Sequence, residues 1–239
     1  MQRKYLFFSF ALVLIMMLTG CVNSGSAPQG VNRGTLTGTV VDSSSGLSLW
    51  SGQASIAGKK AQISGGKFEI KNIPFGTHTL TVAKPHYQDK KIQVTIDGRS
   101  TAVEVKLQCV YSQGHLDLFA RLVHAESRGE PYEGQVAVAA SILNRVLHRN
   151  YPNTLYGVIM QRDSRGYAQY SPVDDGSINN AAGQSAKDAV KDALAGWDPA
   201  QGATGFFAPA KVPNRRNWVW QQVPIVQIGN HLFFKAQID

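Results

Sequence analysis

Two periodicities divide the chain. From Gly34 to Gln108 apolar and polar residues alternate in short runs, as in Leu36-Thr-Gly-Thr-Val-Val41, Lys67-Phe-Glu-Ile70, His78-Thr-Leu-Thr-Val82 and Ile92-Gln-Val-Thr-Ile96, with Gly, Pro and Ser between them. A period of two marks strands with one buried face, and about seven short strands with regular turns predict a small all-β sandwich over residues 34–108. After Cys109 the period becomes helical. Leu116, Phe119, Val123 and Glu126 share one helix face, Asp117, Arg121, His124 and Arg128 take the other, and Gly129 and Pro131 stop the helix. A second stripe, built from Val136, Ala139, Ala140, Ile142, Leu143, Val146 and Leu147, predicts a helix packed on one side. Ser141 and Arg145 lie opposite that stripe, and Gln135 sits on its apolar side in the first turn. A third helix is expected through Ala182 to Ala195, with Ala186, Val190, Ala193 and Leu194 on one face and Gly196 ending it. The rest, to Asp239, reads as loop-rich and aromatic, from Tyr167 and Tyr170 through Trp197, Phe206, Phe207, Trp218 and Trp220 to Phe233 and Phe234. Aromatic rings in loops suit the apolar faces of sugars, though several of these must fill the core of so small a domain.

One position breaks the helical pattern. Glu126 lies on the apolar stripe although solvent-facing positions were open to it. A carboxyl half-buried at a helix end has less water to solvate its anion, so it holds its proton to higher pH, as a general acid near neutrality must. Spacing alone favours the plainer reading, a Glu at a frayed terminus paired with Arg128.

The N-terminus carries Arg3 and Lys4, then an apolar run from Tyr5 to Thr19 that is too short to span a bilayer with margin. It reads as a secretory signal. The run ends in Leu18-Thr19-Gly20-Cys21, which resembles the lipobox of bacterial lipoproteins. That resemblance implies removal of residues 1–20, lipidation of Cys21, and anchoring to the outer side of a bacterial membrane, facing the cell wall. Residues 21–33 then form a polar, flexible linker. Loss of the two cations lowers the formal charge from +8 to +6, so the exported protein stays basic, which favours cell-wall polymers and lipid headgroups as neighbours. The Lys and Arg residues are dispersed, with no basic arm, which excludes a nucleic-acid partner. With Cys21 lipidated, Cys109 has no partner for an intramolecular disulfide and reads as a packed residue at a domain junction. The six histidines are scattered without cysteine partners, so no metal and no other cofactor is expected.

The order of β motifs, from Gly38-Thr-Val-Val-Asp42 through Gly66-Lys-Phe-Glu-Ile70 to Val103-Glu-Val-Lys-Leu107, resembles carboxypeptidase-regulatory-like, transthyretin-like domains. This implies a fold and a spacer or adhesive role, and leaves the partner of the sandwich open. The second resemblance is more specific. Ala120-Arg-Leu-Val-His-Ala-Glu-Ser-Arg-Gly-Glu130 and the helix after it, then Tyr170-Ser-Pro-Val-Asp-Asp-Gly-Ser-Ile178, Ala193-Leu-Ala-Gly-Trp-Asp-Pro199 with Gly205-Phe-Phe-Ala-Pro209, and Ile228-Gly-Asn-His-Leu-Phe233 follow in the order of the spore-cortex-lytic cell wall hydrolases of the SleB/CwlJ type. The chain is thus expected to be multidomain, a small sandwich followed over residues 109–239 by a mainly helical, lysozyme-like α+β catalytic domain.

The resemblance implies action on peptidoglycan glycan strands with one essential glutamate, which by position is Glu126. The family commonly has Ala where this chain has Ser127, whose role stays open. Tyr170 and Ser171 follow as expected substrate-binding residues, then Gln135 and Phe207. A single glutamate suffices for a lytic transglycosylase. It protonates the oxygen between muramic acid and glucosamine, then takes the proton from the muramoyl 6-hydroxyl as that oxygen closes on C1. An inverting hydrolase would need a second carboxylate, for which Glu130, Glu133, Asp174 and Asp175 are the candidates. Glu130 and Glu133 suit the turn and the next helix start, and Asp174-Asp175-Gly176 suits a turn. The alternatives are a muramidase, an N-acetylmuramoyl-L-alanine amidase, or a non-catalytic peptidoglycan-binding lipoprotein. Spore cortex and vegetative wall are both open as substrates.

Overall fold

The alternating half of the chain does form strands. The computed structural model describes residues 32–236, so the signal, the linker as far as Val31 and Cys21 lie outside the described residues. Seven strands run β1 (Arg33–Asp42), β2 (Ser51–Ile56), β3 (Lys59–Ser64), β4 (Lys67–Pro74), β5 (Gly76–Ala83), β6 (Lys90–Ile96) and β7 (Ser100–Leu107). They form one sheet in the order β6-β5-β2-β3-β4-β1-β7, antiparallel except for the parallel β1–β7 pair. The edge strands β6 and β7 meet again, so the sheet curls around its own core. Leu36, Val40, Leu49, Ile56, Ile73, Leu80, Ile96 and Leu107 fill that core and are almost fully excluded from water. Each contributes about 1.5–3 kcal/mol of transfer free energy.

The helical half begins with α1 (Gln113–Ser127), capped by Ser112 accepting from the His115 amide at 3.3 Å, and continues with α2 (Tyr132–Leu147). Short helices α3 (Leu155–Ile159) and α4 (Ser171–Asp174) precede α5 (Gln184–Ala195). Phe119, Leu122 and Val123 of α1 pack with α2 and α5 around a second core.

One expectation needs correction. The helix α2 is not packed on one side. Every residue from Gly134 to Leu143 is buried, and Ser141 lies inside with its hydroxyl donating to the Val138 carbonyl at 2.8 Å. The run Val136-Ala-Val-Ala-Ala140 has small or β-branched side chains all round, which lets neighbours close on every face. The C-terminal stretch is loop-rich but also holds a sheet that the aromatic pattern alone does not announce. Strands β8 (Gly205–Phe207), β9 (Val223–Ile228) and β10 (His231–Lys235) form an antiparallel sheet in the order β8-β10-β9. The Gly229–Asn230 pair makes a two-residue hairpin turn between Ile228 and His231, a strand-pairing signal already present in the sequence.

The two halves pack within one compact unit, Asn32–Asp239. Ala195 is buried in the β core, and the Trp50 amide donates to the Ala195 carbonyl at 2.7 Å. Gly196 ends α5 at φ +117, where a Cβ would lie 2.7 Å from Ser51 Oγ, so only glycine fits both the backbone and the gap. Cys109 is half-buried and packs against both cores, and burial raises its thiol pKa.

Candidate active site

Glu126 comes at the last turn of α1, where the helix must end because Gly129 and Pro131 follow. Ser127 is buried and donates to the Val123 carbonyl at 2.6 Å, so its hydroxyl is spent on the helix backbone one turn back. That gives Ser127 a local structural task. The turn after it is locked from outside. Glu130 accepts the Asn230 amide at 2.8 Å and the Asn230 side-chain nitrogen at 3.2 Å, which pins the α1–α2 turn to the tip of the β9–β10 hairpin. The Gly229 Cβ position would collide with the Glu130 carboxylate, and Gly229 at φ +56 supplies both the space and the turn geometry.

Glu126 itself is half-buried, and its carboxyl pKa is pushed from 4.5 up to about 7. Loss of water is the main cause. The Arg145 guanidinium opposes it, the Asp175 carboxylate adds to it, and Lys211 opposes it more weakly. The alternative of a frayed end paired with Arg128 therefore fails, since Arg128 is exposed and the cations acting on Glu126 come from α2 and from the Pro209–Lys211 turn.

Tyr170 is buried and stands beside this group. Its hydroxyl has no protein partner, and burial together with the Glu126 charge raises its pKa to about 12, against the pull of Arg145. The Tyr170 hydroxyl therefore stays a donor at any physiological pH. Arg145 holds the ring in place. Its guanidinium lies 4.9 Å from the Tyr170 ring centroid and 5.1 Å from that of Tyr151, and its Nε donates to the Thr204 carbonyl at 2.5 Å. Phe206 stacks on Tyr170 at 6.5 Å and touches His231 at 5.2 Å and Phe233 at 5.8 Å. His231 is buried and kept in its neutral form by loss of water, and its Nδ1 has no protein partner.

The remaining expected residues fall in three places. Ser171 follows Tyr170 directly, opens α4 and is exposed at the site's edge. Gln135 is not in the cleft. Its amide nitrogen donates to the Glu130 carbonyl at 3.1 Å and its oxygen accepts from Ser185 at 2.9 Å, so it ties the α1–α2 turn to α5. Phe207 is also displaced from the site, because β8 alternates. Phe207 points to the opposite side and packs edge-on against Trp220 at 4.8 Å and against Phe234 at 6.1 Å, leaving Phe206 facing Tyr170. Period-two reading of Gly205-Phe-Phe207 allowed either ring, and only the pairing of Phe233 with Phe206 decides it.

Of the four candidate second carboxylates, Glu130 is locked by Asn230 and Glu133 lies in the first turn of α2. Asp174 accepts from the Ala168 amide at 2.9 Å and from Arg162 at 2.7 Å, which holds its pKa low and fastens the loop before α4. Asp175 is exposed, kept ionised by Ser177, and is the one of the four whose charge reaches Glu126.

Residues 129–234 match the Cell Wall Hydrolase family, so the matched segment opens three residues after Glu126. A spore cortex-lytic enzyme of Bacillus cereus is 45% identical over 125 residues, which make up 52% of this chain and 46% of that protein. The spore cortex-lytic enzyme of Bacillus subtilis is 38% identical over 135 residues, covering 56% of this chain and 42% of that one. The chain thus spans less than half the length of these curated relatives. Among solved structures, the catalytic domain of the germination-specific lytic transglycosylase SleB from Bacillus anthracis is 44% identical, with 53% of this chain covering 98% of that chain and a TM-score of 0.47. The family match over residues 129–234 and the 45% identity over 125 residues give the C-terminal half of the chain its likeness to the cell wall hydrolases.

Proposed function

We propose that the protein degrades peptidoglycan by cleaving the bond between N-acetylmuramic acid and N-acetylglucosamine as a lytic transglycosylase, with Glu126 as its acid and base. The observation that carries this reading is the Glu126 carboxyl itself, pushed to about 7 by burial beside an unpartnered Tyr170 hydroxyl. Protonated Glu126 gives its proton to the glycosidic oxygen as positive charge develops on the muramoyl ring. The carboxylate left behind faces that charge in a site poor in water, where its attraction is strong. It then takes the proton of the muramoyl 6-hydroxyl while that oxygen bonds to C1, which closes a 1,6-anhydro ring and restores the acid. Tyr170 donates a hydrogen bond to a sugar oxygen or acetamide carbonyl, with Arg145 and Phe206 fixing its ring.

Asp175 supports a second reading. An ionised carboxylate within electrostatic reach of Glu126 has the character of the base that would activate water in a muramidase. The products separate the two, an anhydro end for the first and a reducing end for the second. The spore cortex-lytic relatives favour cortex as the natural wall.

Cys21 would carry the lipid and hold the enzyme at the outer side of the membrane, facing that wall. The curled seven-stranded sheet fits the transthyretin-like sandwich reading of residues 34–108. The direct test is mass spectrometry of fragments released from cortex and vegetative walls by the wild type and by Glu126→Gln.

A further inference from the structure

Three aromatic rings cross the surface where the two halves of the molecule meet. Trp50 comes from the β half, just before β2, and is 42% exposed. Trp197 follows Gly196 at the end of α5, and Tyr132 is the first residue of α2 and is 38% exposed. The Trp50 and Trp197 centroids are 6.0 Å apart with planes at 32°, and those of Trp197 and Tyr132 are 6.0 Å apart at 51°. Tyr132 is fixed by its hydroxyl, which donates to Asp192 at 2.6 Å.

The row runs into a groove of about 510 Å³ whose wall includes Trp197, Pro131, Asp198, Gln201, Gln227 and Gly229. This groove lies over the same turn, Glu130 to Tyr132, that ends the catalytic helix segment and is pinned to the β9–β10 hairpin.

Fastening the two halves together does not account for these exposed faces. The junction is already made by the Trp50 amide on the Ala195 carbonyl and by Gly196 against Ser51, and the Trp50 and Tyr132 rings, in line with the half-buried Trp197, leave open faces in one row. The chemistry of the groove selects its occupant. Its wall has amide and carboxylate groups and no Lys or Arg, which disfavours a polyanion or a lipid headgroup. Flat rings spaced by about one sugar length, with amide donors and acceptors beside them, suit the apolar ring faces and the hydroxyl and acetamide edges of a neutral glycan.

We infer that Trp50, Trp197 and Tyr132 form a platform for sugar rings of the glycan strand beyond the bond being cut. The β half is then part of the substrate surface as well as a spacer. This rests on the glycan-cleaving reading above, and the experiment distinguishes the two.

Binding of β-1,4-linked N-acetylglucosamine oligomers, from dimer to octamer, is measured by calorimetry on the full chain carrying Glu126→Gln, so that no turnover intervenes. Trp50→Ala, Trp50→Leu and Trp50→Tyr are compared in that background, with thermal unfolding as the check on folding. Trp50→Leu keeps an apolar contact to Trp197 but lacks the flat face, whereas Trp50→Tyr keeps one. The expected result is that Ala and Leu weaken octamer binding about 3- to 10-fold and dimer binding by less, while Tyr recovers most of the affinity. Octamer binding by Trp50→Leu equal to that of the parent overturns the platform, and the ring is then only a fastener. If the wild type cleaves peptidoglycan and Trp50→Leu leaves oligomer binding in the Glu126→Gln background unchanged, the platform alone falls. If the wild type does not cleave peptidoglycan and the Glu126→Gln protein binds no oligomer, the glycan-cleaving reading falls and takes the platform with it.

Discussion

Glu126→Gln should abolish activity and at the same time stabilise the protein at alkaline pH. The wild-type carboxyl keeps its proton to about 7 in the folded protein and to 4.5 when the chain is unfolded and the group is in water. Between those two values the native state binds one proton more than the unfolded state. Stability therefore falls as pH rises through that window, by about 1.36 kcal/mol for each pH unit. By pH 8 the loss reaches about 3 kcal/mol, the cost of forcing a charge into a site with little water. Glutamine has nearly the same shape and never ionises, so the variant escapes this loss. The gap between variant and wild type should be close to zero below pH 4.5 and grow to about 3 kcal/mol above pH 7, which for a chain of this size raises Tm by roughly 5–10 °C. Thermal unfolding of both proteins at pH 4 and pH 8 measures it, and all other titrating groups cancel in the difference. A gap that is the same at both pH values would refute the reasoning, because the carboxyl would then ionise as easily in the cleft as in water.

Activity should decline above pH about 7 as the acid loses its proton. Asp175→Asn should move that alkaline limb to lower pH and Lys211→Ala to higher pH, since the first charge holds the Glu126 proton on and the second helps remove it. Initial rates of wall-suspension clearing across pH read both displacements. Gly196→Ala places a methyl group 2.7 Å from Ser51 Oγ at φ +117, and should cost at least about 2 kcal/mol in denaturant unfolding, whereas Gly114→Ala, in the first turn of α1 with open space and no positive φ, should stabilise by up to about 1 kcal/mol. Glu130→Ala should cost about 0.5–1.5 kcal/mol, because the exposed Asn230 amide and side chain exchange their carboxylate acceptor for water. It should also lower the clearing rate, as the turn after Glu126 comes loose.

Much of the fold was legible because the two periods are clean. The burial of β1 alternates from Gly34 to Asp42 as the threonines and valines of that run require, and α5 stops at the glycine the pattern named. The reading failed where period carries no information about what lies on the far side. Ser141 and Arg145 looked solvent-facing because they are polar, yet α2 is enclosed on all sides, and Arg145 spends its charge on two tyrosine rings and the Thr204 carbonyl. At the candidate site the sequence showed a charge on an apolar stripe at Glu126, and the structure gives that carboxyl a raised pKa beside the buried Tyr170. The site was not legible at Phe206 and His231, because which of two adjacent rings faces inward depends on strand register between β8 and β10, a long-range pairing. A buried polar side chain such as Gln135 has two uses that its position in sequence does not separate, and here its amide joins the Glu130 carbonyl and Ser185.

In the proposed reaction Glu126 cuts the glycan by passing the muramoyl C1 from the glucosamine oxygen to its own 6-hydroxyl oxygen in place of water. Mass spectrometry of the soluble fragments released from cortex peptidoglycan by the wild type and by Glu126→Gln tests it most directly. The wild type should release 1,6-anhydro-muramoyl ends and the variant none. Reducing muramoyl ends from the wild type, or anhydro ends that persist in Glu126→Gln, would contradict it.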